Sequence, residues 1–244
     1  MNTDGVTVEP TEGPTALNAP SPPARDAMSD LVRDDTAVAA PPPRLAGPAA
    51  SRVKRVVDTT LAFFALVFML PLFLVVAFAV VADSQGPVFF VQRRTGLHGR
   101  AISVFKFRTM SVMENGAVIA QAAKGDRRVT RVGAFLRRSS IDELPQLLNV
   151  LRGEMSLVGP RPHALAHDQY YGALVPGYTH RFRARPGITG LAQITGFRGE
   201  IHSLDCMEGR VAADNRYIDT WSFWLDIGIL LKTLVIAPFQ DSAY

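Results

Sequence analysis

An adjacent acid pair, Asp142 and Glu143, sits in a stretch that is otherwise basic, Leu136 to Pro162, LRRSSIDELPQLLNVLRGEMSLVGPRP. Behind the pair, Leu144, Leu147, Leu148 and Leu151 recur at helical spacing and Arg152-Gly153 supplies a stop, so both carboxylates are expected in the first turn of a helix. There the helix dipole and unpaired N–H groups favour negative charge. A carboxylate stays ionised and a phosphate can dock beside it, which suits phosphoryl transfer. Ser140-Ile141-Asp142-Glu143 also reads as a capping box, in which the same acids only start a helix. Pro145 is compatible with a start at Asp142 and less so with one at Ser140, and the cap stays open between them.

The elements around this stretch supply cations. Val88 to Val91 and Ile102 to Phe107 are strand-like runs about a turn at Gly96-Leu97-His98-Gly99, which predicts a β-hairpin. Alternation along its second arm puts Lys106 and Arg108 on one face and Phe105 and Phe107 on the other. Two cations there either grip a phosphate or guard a solvated edge strand. Arg127, Arg128, Arg131, Arg137, Arg138, Arg161, Arg181, Arg183 and Arg185 continue the pattern in a chain of net charge +4. An anionic partner follows from the charge: a nucleoside diphosphate, a lipid phosphate or a membrane surface. Nucleic acid is not expected, because no zinc-finger spacing or aromatic-interleaved basic stripe accompanies the arginines. The chain has no phosphate-binding G-x-x-x-x-G-K-[ST] loop, no G-x-G-x-x-G fingerprint, no H-E-x-x-H and no D-x-D pair. Those absences argue against P-loop hydrolysis, dinucleotide redox chemistry and zinc proteolysis. Five histidines, His98, His163, His167, His180 and His202, offer one i, i+4 pair and are read as packing or surface residues.

Two segments stand apart from this domain. Residues 1–50 hold nine of the 17 prolines, carry almost no aromatic side chains, and are expected to form a disordered tail. No secretory signal pattern is visible, and the single Cys206 permits no intrachain disulfide. Leu61 to Ala82 is 22 residues without a charge, enough to cross a hydrocarbon core of about 30 Å. Pro71 lies near its middle and basic residues flank both ends: Arg52, Lys54 and Arg55 before it, Arg93, Arg94 and Arg100 after it. Membrane lipid is thus a partner, through a kinked crossing helix or a re-entrant helix broken at Pro71 with both ends cytoplasmic.

Four blocks, FKFRTM at 105–110, SIDELPQLLNVLRGEMSLVGPRP at 140–162, RARPGITGLAQITG at 183–196 and YIDTWSFWLDIGILLKT at 217–233, resemble the bacterial sugar transferase family, the monotopic phosphoglycosyl transferases. The similarity runs from about Val53 to Thr233. RGEIHSLDCMEGRVAADNRYIDTWS, at 198–222, looks like the branch that moves a hexose-1-phosphate to start an exopolysaccharide repeat. Larger members carry further membrane helices and another domain ahead of this core, and this chain is expected to have the core alone.

The resemblance implies attack by an aspartate on the β-phosphorus of a UDP-hexose, release of UMP, and passage of the sugar-1-phosphate, from glucose or galactose, to undecaprenyl phosphate. Asp142 matches the family nucleophile and Glu143 the acid associated with a required Mg2+. Arg137 and Arg161 match arginines near the phosphates. Pro160 and Pro162 fix the loop, Lys106 and Arg108 match the K-F-R-[TS]-M block, and Arg185 is counted with the substrate-binding arginines. The family anchor is a re-entrant helix broken at a proline that usually follows serine; here the pair is Leu70-Pro71.

The expected fold is α+β and mostly helical: a tail at 1–50, a re-entrant anchor at 51–84 and a catalytic domain at 85–244 with a β-hairpin and interfacial amphipathic helices. Asp219, Ser222, Asp226 and Thr233 form one stripe of the last helix, with Trp221, Trp224, Leu225 and Ile229 left for membrane or core. The implied location is the bacterial inner membrane, cytoplasmic face, with polysaccharide-assembly proteins as further partners. The competing reading is a non-catalytic, membrane-anchored protein whose basic face binds anionic lipid or such partners. It accounts for the charge but not for the carboxylates within it.

Overall fold

The computed structural model describes residues 47–111, 126–197, 199, 201 and 203–236. The expected tail up to residue 46 and His202 lie outside them. Gly47–Ala49 form a short 3-10 helix whose Pro48 is buried. The chain then enters α1, Arg52–Asp83, capped by Ser51, whose side chain accepts from the Lys54 N–H. At the helical rise its 32 residues extend over about 48 Å.

The expected break at Pro71 is corrected: α1 continues through it as one helix. Proline removes one backbone donor, leaving the Val67 carbonyl without its helical partner, but its φ is helical, so one such residue need not end a long apolar helix. The middle of α1 is packed against little, with Phe64, Phe68, Leu70, Leu74 and Phe78 all exposed, Phe68 to 83%.

Both ends of α1 are fastened. Near the start, Lys54 Nζ lies 2.7 Å from Asp226 Oδ2, Arg55 donates to the carbonyls of Val150 and Leu151, and Asp58 accepts from Ser156 Oγ. At the far end, the Arg108 guanidinium donates to the carbonyls of Val80, Ser84 and Gln85.

The rest is α+β and mostly helical. Strands β1 (Phe89–Thr95) and β2 (Ala101–Phe107) form the expected antiparallel hairpin, with Phe89 opposite Phe107 and Thr95 opposite Ala101. Helices α2 (Arg131–Ser139) and α3 (Gln146–Arg152) follow, separated by a 3-10 turn at Ile141–Glu143. Strand β3 (Ser156–Val158) leads through α4 (Leu165–Leu174) and a 3-10 segment, Tyr178–Arg183, to β4 (Gly187–Thr189), which pairs with β3 in parallel. Helices α5 (Leu191–Ile194), α6 (Leu204–Asp219) and α7 (Phe223–Ile236) complete the described chain.

The main core gathers Ala62 of α1, Val104 of β2, Leu147 and Val150 of α3, Leu157 and Val158 of β3, Tyr217 and Ile218 of α6, and Ile229 of α7. A second cluster joins Val76 and Val80 to Phe107 and Leu136. Asn149 of α3 is fully buried, and its side chain accepts from Phe105 N–H and donates to Ser103 O, fixing the hairpin over the acid pair's turn. The expected polar stripe is split: Asp219 ends α6 and Ser222 lies ahead of α7, both exposed, and only its two members on α7 face inward. Asp226 is buried between Lys54, Tyr217 and Trp221, and Thr233 bonds Thr189, while Trp224, Leu231, Leu234 and Val235 are exposed.

Candidate active site

The acid pair occupies the 3-10 turn rather than the first turn of α3, which starts three residues later at Gln146. Ser140 closes α2 in the left-handed conformation, φ 58°, and so ends one helix rather than boxing the start of the next. This corrects both helix-start expectations. Pro145 precedes α3, where a missing donor costs nothing.

The two carboxylates face different surroundings. Glu143 is gripped twice: Lys106 Nζ lies 2.7 Å from Oε1, and Arg161 forks onto it with Nη2 to Oε1 at 2.5 Å and Nη1 to Oε2 at 3.0 Å. Burial would raise its pKa, but the two cations and their hydrogen bonds hold it well below the usual carboxylate range. Asp142 is 8% exposed, and burial pushes its pKa up to about 6, against Lys106 and with the help of the Glu143 charge. The direction differs from that expected for a helix start: desolvation outweighs the surrounding cations and raises the pKa rather than lowering it. What results is a basic, poorly solvated carboxylate beside one that its two cations hold ionised.

Arg161 is placed by its own backbone. Gly187 N–H donates to Pro160 O, Arg181 Nη2 to Arg161 O at 2.6 Å, and Arg94 Nη1 to Pro162 O at 2.7 Å. Three successive carbonyls of Pro160-Arg161-Pro162 are thus held. Gly159 and Gly187 allow the strands to meet there, since a Cβ on Gly187 would stand 2.1 Å from Gly159 N. Arg137 Nε donates to Thr109 Oγ1, leaving its charge close enough to lower the Asp142 pKa.

Of the residues expected at the site, Asp142, Glu143, Lys106, Arg137 and Arg161 come together, with Pro160 and Pro162 flanking Arg161. Arg108 and Arg185 do not join them. The strand stops at Phe107, so alternation no longer governs Arg108, and its side chain turns to cap α1. Arg185 donates to Gly153 O and Ala49 O, a bracing role beside Arg55.

Sequence reasoning counted Arg181 toward an anionic partner and missed the buried cluster that it enters behind the loop. Arg181, 2% exposed, binds Asp214 Oδ2 at 2.7 Å, and Tyr178 donates to Asp168. His163, surrounded by Arg181, Arg210, Arg94 and Arg161, is held neutral by burial and their charges. Asp214 carried a readable signal: it follows Met207 and Val211 on the buried face of α6, where a carboxylate needs a cation.

Two adjacent carboxylates fit a magnesium ion that takes its other ligands from phosphate and water. Among the described residues no cluster of three His, Cys, Asp or Glu offers a closed metal cage. Glu143 would share its oxygens with Lys106 and Arg161.

Comparison with known proteins agrees with this geometry. Residues 49–239 match the family model described as bacterial sugar transferase. The chain is 53% identical over 191 residues to a UDP-glucose:undecaprenyl-phosphate glucose-1-phosphate transferase of Caulobacter vibrioides, covering 78% of this chain and 72% of that one. Transferases of the same name from Klebsiella pneumoniae and Escherichia coli are each 50% identical, and the chain spans 41% of each of these longer relatives. With four-fifths of its length inside the family model and its acid pair, lysine and arginine assembled as one site, the chain belongs to the bacterial sugar transferase family.

Proposed function

We propose that the protein transfers a hexose-1-phosphate, glucose-1-phosphate first among candidates, from a UDP-hexose to undecaprenyl phosphate. The observation that carries this reading is the pairing of a desolvated Asp142 with a Glu143 locked to Lys106 and Arg161. An Asp142 oxygen attacks the β-phosphorus, the bond from that phosphorus to the bridging oxygen breaks, and UMP leaves with the oxygen and its electron pair. A phosphate oxygen of undecaprenyl phosphate then attacks the same phosphorus and frees Asp142. Arg137 and Arg161 supply positive charge for the diphosphate, and Lys106 keeps Glu143 ionised and in place. A magnesium ion held through Asp142 and Glu143 oxygens would offset the charge that repels a carboxylate from a diphosphate. The names of the relatives favour glucose.

We further infer a protein of the inner membrane's cytoplasmic face, anchored by an unbroken α1 whose two ends both lie on that face. Supporting this, both ends of α1 are tied to one folded body, through Lys54 and Asp226 at one end and Arg108 at the other. The test of the activity is UMP release from a panel of UDP-sugars with undecaprenyl phosphate. The expected result is release that requires the lipid for multiple turnovers and is fastest with UDP-glucose; no release from any UDP-sugar would sink the proposal.

A further inference from the structure

Helix α2 carries a surface that the transfer reaction does not use. Its buried side, Val132 and Leu136, packs on Phe73, Val76 and Val80 of α1, and Asp83 accepts the Val132 N–H. The helix therefore lies beside the last turns of the apolar segment. At that level the exposed Leu74, Val75, Phe78 and Val81 give way to Asp83 and Ser84. On the outward side, Arg131, Phe135 and Arg138 follow at i, i+4 and i+7 and share one face. All three are exposed, Phe135 to 62%, and Arg127 is exposed just ahead of them. Among the described residues none of these arginines forms an ion pair, and the nearby acid in sequence, Asp126, is engaged by Arg128.

An exposed phenylalanine between two uncompensated guanidinium groups, continuous with an apolar helix, is complementary to an anionic bilayer interface: ring toward the acyl region, cations at the phosphates. We propose that Arg131, Phe135 and Arg138 dock α2 onto anionic phospholipid headgroups, fixing how the acid-pair turn that follows α2 sits against the membrane. The inference rests on α1 being the membrane anchor.

The test uses the full chain in nanodiscs of phosphatidylcholine, alone or mixed with phosphatidylglycerol. A spin label is placed at Ser139→Cys, one turn beyond Phe135, in a Cys206→Ser background, and its collisions with oxygen and with a water-soluble nickel chelate are compared. The label should move from water toward the interface when phosphatidylglycerol is present. The shift should be lost in the Arg131→Gln/Arg138→Gln variant, each removed arginine lowering the docked-to-undocked ratio roughly fivefold. Both arginines are exposed, so an unchanged melting temperature verifies the fold. Equal accessibility in the two membranes would overturn the proposal. So would a shift produced in phosphatidylcholine alone by stoichiometric undecaprenyl phosphate, which would assign the stripe to the lipid substrate. A second label at Phe68→Cys separates the readings. If it reports hydrocarbon while the Ser139→Cys label stays in water in both membranes, the anchor stands and this inference alone fails.

Discussion

As the proposed nucleophile, Asp142 combines two requirements that pull against each other. A nucleophile attacking a diphosphate has to be ionised, yet burial pushes this carboxylate up to about 6. The transfer rate measured in a single turnover should therefore fall about tenfold per pH unit below that value and level off above it, because only the carboxylate form attacks. A flat profile through that range would contradict the assignment. The same shift has a stability consequence. The folded pKa lies above the unfolded one, so Asp142 favours the fold below the unfolded pKa, and that contribution is lost as pH rises through about 6. Replacing it by asparagine removes a buried charge, so at neutral pH Asp142→Asn should abolish transfer while raising stability by roughly 1–3 kcal/mol, read from thermal melts in detergent. A variant that loses both activity and stability would mean the carboxylate is structural. The position of Asp142 was legible in the sequence from its neighbours. Its pKa was not, because that depends on how the hairpin and α3 cover it.

At the scale of elements, the hairpin and the long apolar helix could be read directly from alternation and length, whereas proline misled at Pro71, where the helix continues unbroken. The acid pair's helix start, the placing of Arg108 and the facing of α7 resisted as well. Strand alternation put Arg108 beside Lys106, but the strand ends one residue earlier and Arg108 closes α1 instead. Periodicity along α7 grouped Asp226 with Thr233 but could not say which side faces the core, and the polar side does. Its reason is the clasp: Asp226 accepts from Lys54, Tyr217 and Trp221, joining the base of α1 to the turn between α6 and α7. Asp226→Asn leaves Lys54 buried with only the more distant Asp58, at 3.6 Å. It should cost roughly 3 kcal/mol, seen as a lower melting temperature. A change within error would show that the pair is not stabilising the base of the anchor.

At the scale of the whole molecule, the membrane helix and the site are one construction. The base of α1 bonds to β3, which runs into Gly159 and the Pro-Arg-Pro loop, and its far end bonds to Arg108 just after the strand that carries Lys106. Cysteines placed at Ala50 and Gln85 in a Cys206→Ser background should both resist a membrane-impermeant thiol reagent in intact cells. Labelling of only one would mean a crossing helix and leave the chemistry untouched. The chemistry itself has a more direct test: intact-mass analysis of the protein incubated with UDP-glucose and magnesium in the absence of undecaprenyl phosphate. The expected result is a gain of one hexose phosphate, located on Asp142 by peptide mapping, absent from Asp142→Asn and discharged when undecaprenyl phosphate is added. Turnover by Asp142→Asn near the wild-type rate, or an adduct on another residue, would contradict it.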